Sequence, residues 1–284
     1  VNSLYYFAIK RYIVTLMAHE LHITNDKADW DWPPGALDDY LGGNYQKLAR
    51  EDQVVAAVGI SAVDLYARQN DLYGELPSAT QICSGAVPRG AALFAPLVRP
   101  VERGGYIDIS DLKPSNVEAT RRTMSQLALG NLGLWTPHQR DYAAVNPRWA
   151  NAFQEAGILA EGHVHAEDMR DLEPESQHAI GVEHGPESAT TEEDEYQEFI
   201  RIICRALLPG GILYMAYMRG SLGYKIGGIT KPAFPVDIDY VTETLHANNM
   251  RVLVNAGTDA SHSIRTDGDD HSYSGIGMVV AIRK

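Results

Sequence analysis

Residues 79–98 read A-T-Q-I-C-S-G-A-V-P-R-G-A-A-L-F-A-P-L-V, and residues 104–120 read G-G-Y-I-D-I-S-D-L-K-P-S-N-V-E-A-T. The first run is a strand, a glycine-bearing turn and an alanine-rich helix; the second is another strand that closes on an acid. A nucleotide-like ligand needs this combination. A turn with glycine lets the main chain come close to the ligand, and a carboxylate on the next strand accepts two ribose hydroxyls. Asp108 is the carboxylate expected in that role. The dinucleotide fingerprint places three glycines around a pyrophosphate, whereas only Gly85 and Gly90 stand near this turn, with Cys83 and Ala86 in neighbouring places. A dinucleotide is therefore disfavoured, and a ligand-free βαβ unit with a tight connection stands as the plain alternative.

The chain of 284 residues, 45% of them hydrophobic, is long enough for one large α/β domain with an N-terminal addition. Twenty-four basic against 37 acidic residues give a formal charge of −13. That sign opposes both a nucleic-acid backbone and an anionic membrane, and favours a small-molecule partner. Cys83 and Cys204 are the only cysteines; two scattered thiols make no secreted disulfide framework, and a reducing cytoplasm is expected. The apolar run from Leu4 to Ala18 is broken by Lys10 and Arg11 and falls short of the ~20 residues of a membrane span.

Leu4 to His22 carries apolar residues at helical spacing on more than one face, so residues 1–37 are expected to be a helical extension buried by the domain or by another copy, giving a homo-oligomer. Trp30-Asp31-Trp32-Pro33-Pro34 breaks that helix. Residues 38–284 form the main domain. Helices expected over 38–75 carry Val54, Val55, Val58, Ile60, Val63 and Tyr66 as an apolar stripe and close over the site as a lid, with Tyr40 and Tyr45 contributing their rings. Residues 121–160 read as a helical insertion with Trp135 and Trp149. Short strands follow at 162–166 and 180–183, then a helix at 193–208. Leu208-Pro209-Gly210-Gly211 stops that helix ahead of a fifth strand. A helix at 239–248 and strands at 250–254 and 275–282 complete the chain.

Strand–helix alternation, acids after the second and third strands, L-P-G-G before the fifth and a final hairpin together resemble the class I S-adenosylmethionine-dependent methyltransferases. Within that class the chain looks like the nicotinamide, phenylethanolamine and thioether/amine N-methyltransferase family and its actinobacterial relatives. The family segment D-Y-L-x-x-x-Y matches residues 39–45, and G-S-L-G-Y-K-I-G-G-I-T-K-P-A-F-P-V at 220–236 matches its stretch after the fifth strand. The resemblance implies a Rossmann-like, mostly parallel seven-stranded sheet, its last strand antiparallel, with helices on both faces. It also implies S-adenosyl-L-methionine as cofactor. Tyr40 and Tyr45, with Ser84 and Gly85, would meet the methionine end; Asp108, with Ser110 and Asn116, would meet the ribose. Asp168 and Met169 would hold the adenine, and Glu183 would begin the loop past which the methyl travels. Gln81 replaces the usual acid of the first strand, and Cys83 replaces the first glycine of the turn. Tyr217 stands where the nicotinamide branch has a carboxylate, which implies a neutral aromatic acceptor, an indole or related ring, over a small amine or pyridine. Trp32, Tyr40, Tyr217, Tyr224 and Glu187 are the expected acceptor-side residues.

Methyl transfer from a sulfonium asks the protein to align two atoms about 3 Å apart, and an acceptor that loses a proton also needs a base. V-E-H-G-P-E-S at 182–188 offers Glu187 first and His184 second, at the carboxyl end of a strand, where open α/β sheets bind ligands. The bland alternatives are a helix-capping glutamate and a structural histidine. His163 and His165 share one strand face but lack a third ligand at a telling spacing, and R-T-D-G-D-D-H at 265–271 lacks a calcium loop's twelfth-position glutamate, so no metal is expected. A nicotinamide-dependent reductase and a non-catalytic assembly module on the same fold are the competing classes.

Overall fold

The computed structural model describes residue 41 and residues 50–85, 87–226, 229–259 and 273–284. The expected helix at 4–22, Trp32, Tyr40, Tyr45 and most of the 258–274 loop lie outside the described residues, as does the Tyr224 side chain.

A seven-stranded sheet runs in the order β3-β2-β1-β4-β5-β9-β8. It is built from β1 (Ser78–Ile82), β2 (Tyr106–Asp111), β3 (Val164–Ala166), β4 (Gln177–Glu183), β5 (Leu207–Arg219), β8 (Met250–Asp259) and β9 (Gly275–Arg283). The first five are mutually parallel; β9 runs antiparallel to β5, and β8 antiparallel to β9. This is the Rossmann-like methyltransferase arrangement the sequence implied. A small hairpin of β6 (Gly223–Ile226) and β7 (Ile229–Pro232), unforeseen in the sequence reading, follows β5. Helices α1 (Arg50–Gln69), α2 (Arg89–Phe94), α3 (Pro114–Ala128), α4 (Thr136–Val145) and α5 (Ala152–Leu159) pack with one face; α6 (Glu193–Ala206) and α7 (Ile238–Ala247) cover the other.

The period-two pattern of each strand sorts its side chains between the two layers. On β5, Ile212, Tyr214 and Ala216 enter the core beneath α1–α5, while Leu213, Met215 and Tyr217 enter the core beneath α6 and α7. β9 repeats this with Ile276, Met278, Val280 and Ile282 against Val279 and Ala281. In α1 the stripe of Val55, Ile60, Val63 and Tyr66 is buried, but Val54 is exposed. Helix α1 lies against β8 and β9, with the Tyr66 hydroxyl donating to the Gly210 carbonyl at 3.0 Å, so it is a layer of the core where a lid had been expected. Residues 121–160 complete α3 and supply α4 and α5; Tyr142, Trp149 and Phe153 are core, and the Trp149 indole N–H donates to the Leu93 carbonyl at 2.9 Å. The helix before L-P-G-G stops at Ala206, and β5 already starts at Leu207.

Two close contacts fix how the layers meet. Helix α2 approaches β4 so nearly that a Cβ on Gly181 would stand 3.2 Å from the Gly90 Cα. Beside that approach, Arg89 Nε donates to Glu183 Oε2 at 2.8 Å, with both side chains almost wholly buried. On the other face the Tyr217 ring lies over Gly277, its partner in the β5–β9 register; a Cβ there would fall 2.3 Å from ring carbons. Gly277→Ala is therefore expected to cost about 1–3 kcal/mol by overpacking, read from denaturant midpoints; a change within experimental error refutes this packing account. Glu183→Gln keeps an acceptor for Arg89 but removes the charge, so it is expected to cost about 1.5–3 kcal/mol, the range for a hydrogen bond to a charged group. A loss well under 1 kcal/mol in denaturant unfolding would show that the pair adds little to the packing of α2 on β4.

Candidate functional site

Strands β1 and β4 are neighbours whose connections leave in opposite directions, β1 towards β2 and β4 towards β5. Open α/β sheets form a crevice at the carboxyl end of such a switch point. Here it is framed by the turn after β1, the end of β2, the start of α3, the loop after β3 and the loop after β4.

The β1 turn is laced from below by Gln81. Its amide oxygen accepts the Ala91 N–H at 2.7 Å, and its amide nitrogen donates to the Val87 carbonyl. A neutral side chain that both donates and accepts thus ties the start of α2 to the turn. Cys83 and Gly85 both take left-handed backbone, with φ of 53° and 49°. That region is easy for glycine and costly for cysteine, about 1–3 kcal/mol. Gly85 faces open space, with nothing within 4 Å of where a Cβ would stand. Burial pushes the Cys83 thiol well up, and the Asp111, Glu187 and Asp168 carboxylates add to that shift.

The acid at the carboxyl end of β2 is Asp111, which the sequence reading passed over. Its Oδ2 accepts the Gly85 N–H at 2.9 Å; its Oδ1 accepts the Lys113 N–H at 2.9 Å and the Asn116 amide at 3.2 Å. Burial raises its pKa, and these three donors pull the other way. Asn116 is buried, and its own Oδ1 has no partner among the described residues. Asp108, the expected ribose acid, lies three residues earlier. Strand alternation turns it away from the Ile107 and Ile109 face, and its Oδ1 sits 3.2 Å from His163 Nδ1, at the β3 side. Asp108 is thus part-buried beside His163 and outside the hydrogen-bond network of Gly85, Asp111 and Asn116. The signal that could have found Asp111 is its place before Lys113-Pro114, since a proline at the first helical position marks the helix start and so the strand's end.

The remaining expected residues divide. Ser84 is buried, its N–H donating to the Ser110 carbonyl at 3.3 Å and its hydroxyl 3.1 Å from that of Thr120, so Ser84 and Ser110 join the turn to β2. Asp168 caps a short turn that begins at Met169. Both its oxygens accept from Arg170 Nε at 2.9 Å, and Met169 packs part-buried against the second core. Glu183 spends one oxygen on Arg89; the other is buried without a partner among the described residues. Glu187 is wholly buried: its Oε1 accepts the Met218 N–H at 3.0 Å and lies 3.7 Å from His184 Nδ1. Tyr217 is corrected from an acceptor-side residue to a core residue. Its ring is fully buried and its hydroxyl donates to Asn255 Oδ1 at 2.7 Å, while the Asn255 amide donates to the Ile238 carbonyl and the Thr242 hydroxyl of α7. Among the described residues no cluster of three potential metal ligands occurs, and no helix is long and apolar enough to cross a membrane.

No protein-family model matches this chain, and no curated protein matches it. Solved structures do. One is a protein of Galdieria sulphuraria assigned as a sarcosine dimethylglycine methyltransferase, with a TM-score of 0.52 and 10% identity over 88% of this chain and 98% of that one. Another is an S-adenosylmethionine-dependent methyltransferase from Clostridium acetobutylicum, with a TM-score of 0.51 and 6% identity over 87% of this chain and 97% of that one. At such identities the likeness is one of fold: the chain has the seven-stranded architecture of the S-adenosylmethionine-dependent methyltransferases.

Proposed function

We propose that this chain is a methyltransferase that binds S-adenosyl-L-methionine and methylates a small molecule. One observation carries the reading: at the switch point of a methyltransferase-type sheet, the open Gly85 turn, Asp111 and Asn116 are hydrogen-bonded into one cradle. The cradle fits the group. A carboxylate offers about four acceptor sites, of which three are taken, and the unpartnered Asn116 Oδ1 adds another at the same place. Asp111 and Asn116 would hold the ribose, Ser84 and Gly85 the methionine end, and Met169 with Asp168 the adenine. Bound there, the cofactor supplies an electrophilic methyl group for in-line displacement, and the chain's own task is to orient the acceptor and exclude water.

The family resemblance favours an indole or related aromatic ring as acceptor. A small amine or pyridine is the second reading. Methyl transfer to tryptamine-like indoles, against nicotinamide and simple amines, separates the two by product mass.

Calorimetric titration with S-adenosylhomocysteine tests the cofactor assignment, with NADP as the control that a reductase would bind. Asp111→Asn is expected to weaken S-adenosylhomocysteine by about 1.5–3 kcal/mol, the range for hydrogen bonds to a charged group, while Asp108→Asn stays within about 0.5 kcal/mol of the parent. The reverse order of effects would return the ribose to Asp108; heat from NADP alone would end the methyltransferase reading.

A further inference from the structure

The loop after β4 brings two ionisable side chains together. His184 takes left-handed backbone at φ 54°, unfavourable for a residue with a Cβ, and is kept there by its N–H donating to the Ala216 carbonyl at 2.8 Å. Glu187, three residues on, is clamped from two sides: Met218 N–H on its Oε1, and Phe234 N–H on its main-chain carbonyl at 2.8 Å. A carboxylate so held cannot swing out to meet an acceptor. The imidazole is differently placed. Its Nδ1 is buried, 3.7 Å from Glu187 Oε1 and without a hydrogen-bond partner among the described residues, while 16% of the side chain is exposed, so the exposure falls on side-chain atoms other than Nδ1.

We propose that His184 and Glu187 form a proton-accepting pair in which His184 Nε2 takes the acceptor's proton and Glu187 is the positioning residue that holds Nδ1–H. This reverses the order expected from sequence, where Glu187 was the first choice of base, and it rests on the methyltransferase reading. As the methyl carbon bonds to the acceptor, its bond to sulfur breaks with the electron pair left on sulfur, and the acceptor's proton moves to Nε2. The resulting imidazolium sits beside a buried carboxylate, so the pair carries no net charge after the step. Among the described residues, the groups on which the Glu187 charge acts include the Cys83 thiol from the β1 turn, the Tyr196 phenol from α6 and the Tyr217 phenol from β5; burial raises all three, so each is neutral at pH 7. The neighbouring Glu183 is matched by Arg89.

The test reads the imidazole itself and needs no acceptor. Nitrogen-15 NMR of the full chain, with S-adenosylhomocysteine added, is expected to show His184 as the Nδ1–H tautomer when neutral. In Glu187→Gln, which keeps an acceptor for Met218 N–H, the proton affinity of His184 should fall about tenfold or more. An Nε2–H tautomer in the parent, or an unchanged titration in a folded Glu187→Gln, overturns the pair; should that variant not fold, the parent tautomer alone decides. Absence of S-adenosylhomocysteine binding in the same samples would overturn the methyltransferase reading while leaving the tautomer result standing.

Discussion

The Asp111 carboxylate holds the candidate site together. It collects an N–H from the turn after β1, another from the segment after β2 and a side-chain amide from α3, and so joins three pieces of chain. Burying a carboxylate is costly unless its lone pairs are met, and that cost makes the junction selective: the turn must present the Gly85 N–H, which its left-handed backbone does. Ser84 and Thr120 repeat the tie through their hydroxyls. A cradle assembled by the protein's own hydrogen bonds is already in shape when a ligand arrives.

Much of the sheet was legible because the strand–helix alternation and the Leu208–Gly211 stop are local signals. What failed were inferences about facing. Asp108 and Asp111 are both acids on one strand, and choosing between them needs the strand's end and the face each residue takes. Lys113-Pro114 marked the end; the pairing of β2 with β3, which brings His163 to Asp108, was not visible in one dimension. Tyr217 failed for the same reason, since the glycine that makes room for its ring lies 60 residues on, in register only once β9 pairs with β5. The hairpin after β5 carried a sequence signal that went unused: two glycines between isoleucines at 226–229 are a pattern that favours a two-residue hairpin connection.

The replacements at the turn show how a fold keeps its geometry when familiar residues change. Gln81 stands where the resemblance implied an acid, and it binds Ala91 N–H and the Val87 carbonyl together, which a carboxylate could not do without a proton. Cys83 takes a glycine's conformation and is tolerated because Gly185 leaves the room; a Cβ at 185 would lie 2.7 Å from the Cys83 Cβ. The glycine has in effect moved across the crevice from one loop to the next.

The strand order sets a sequence of events as well as a shape. Strand β8 joins the sheet only through β9, which lies between it and β5, although β8 comes earlier in the chain. Until residues 275–283 are made and inserted, β5 and β8 both present open edges, with their main-chain N–H and carbonyl groups free to pair with another chain. During synthesis this half of the domain is therefore exposed to misassembly for longer than the β1–β4 half, whose parallel pairs are complete once β4 has formed.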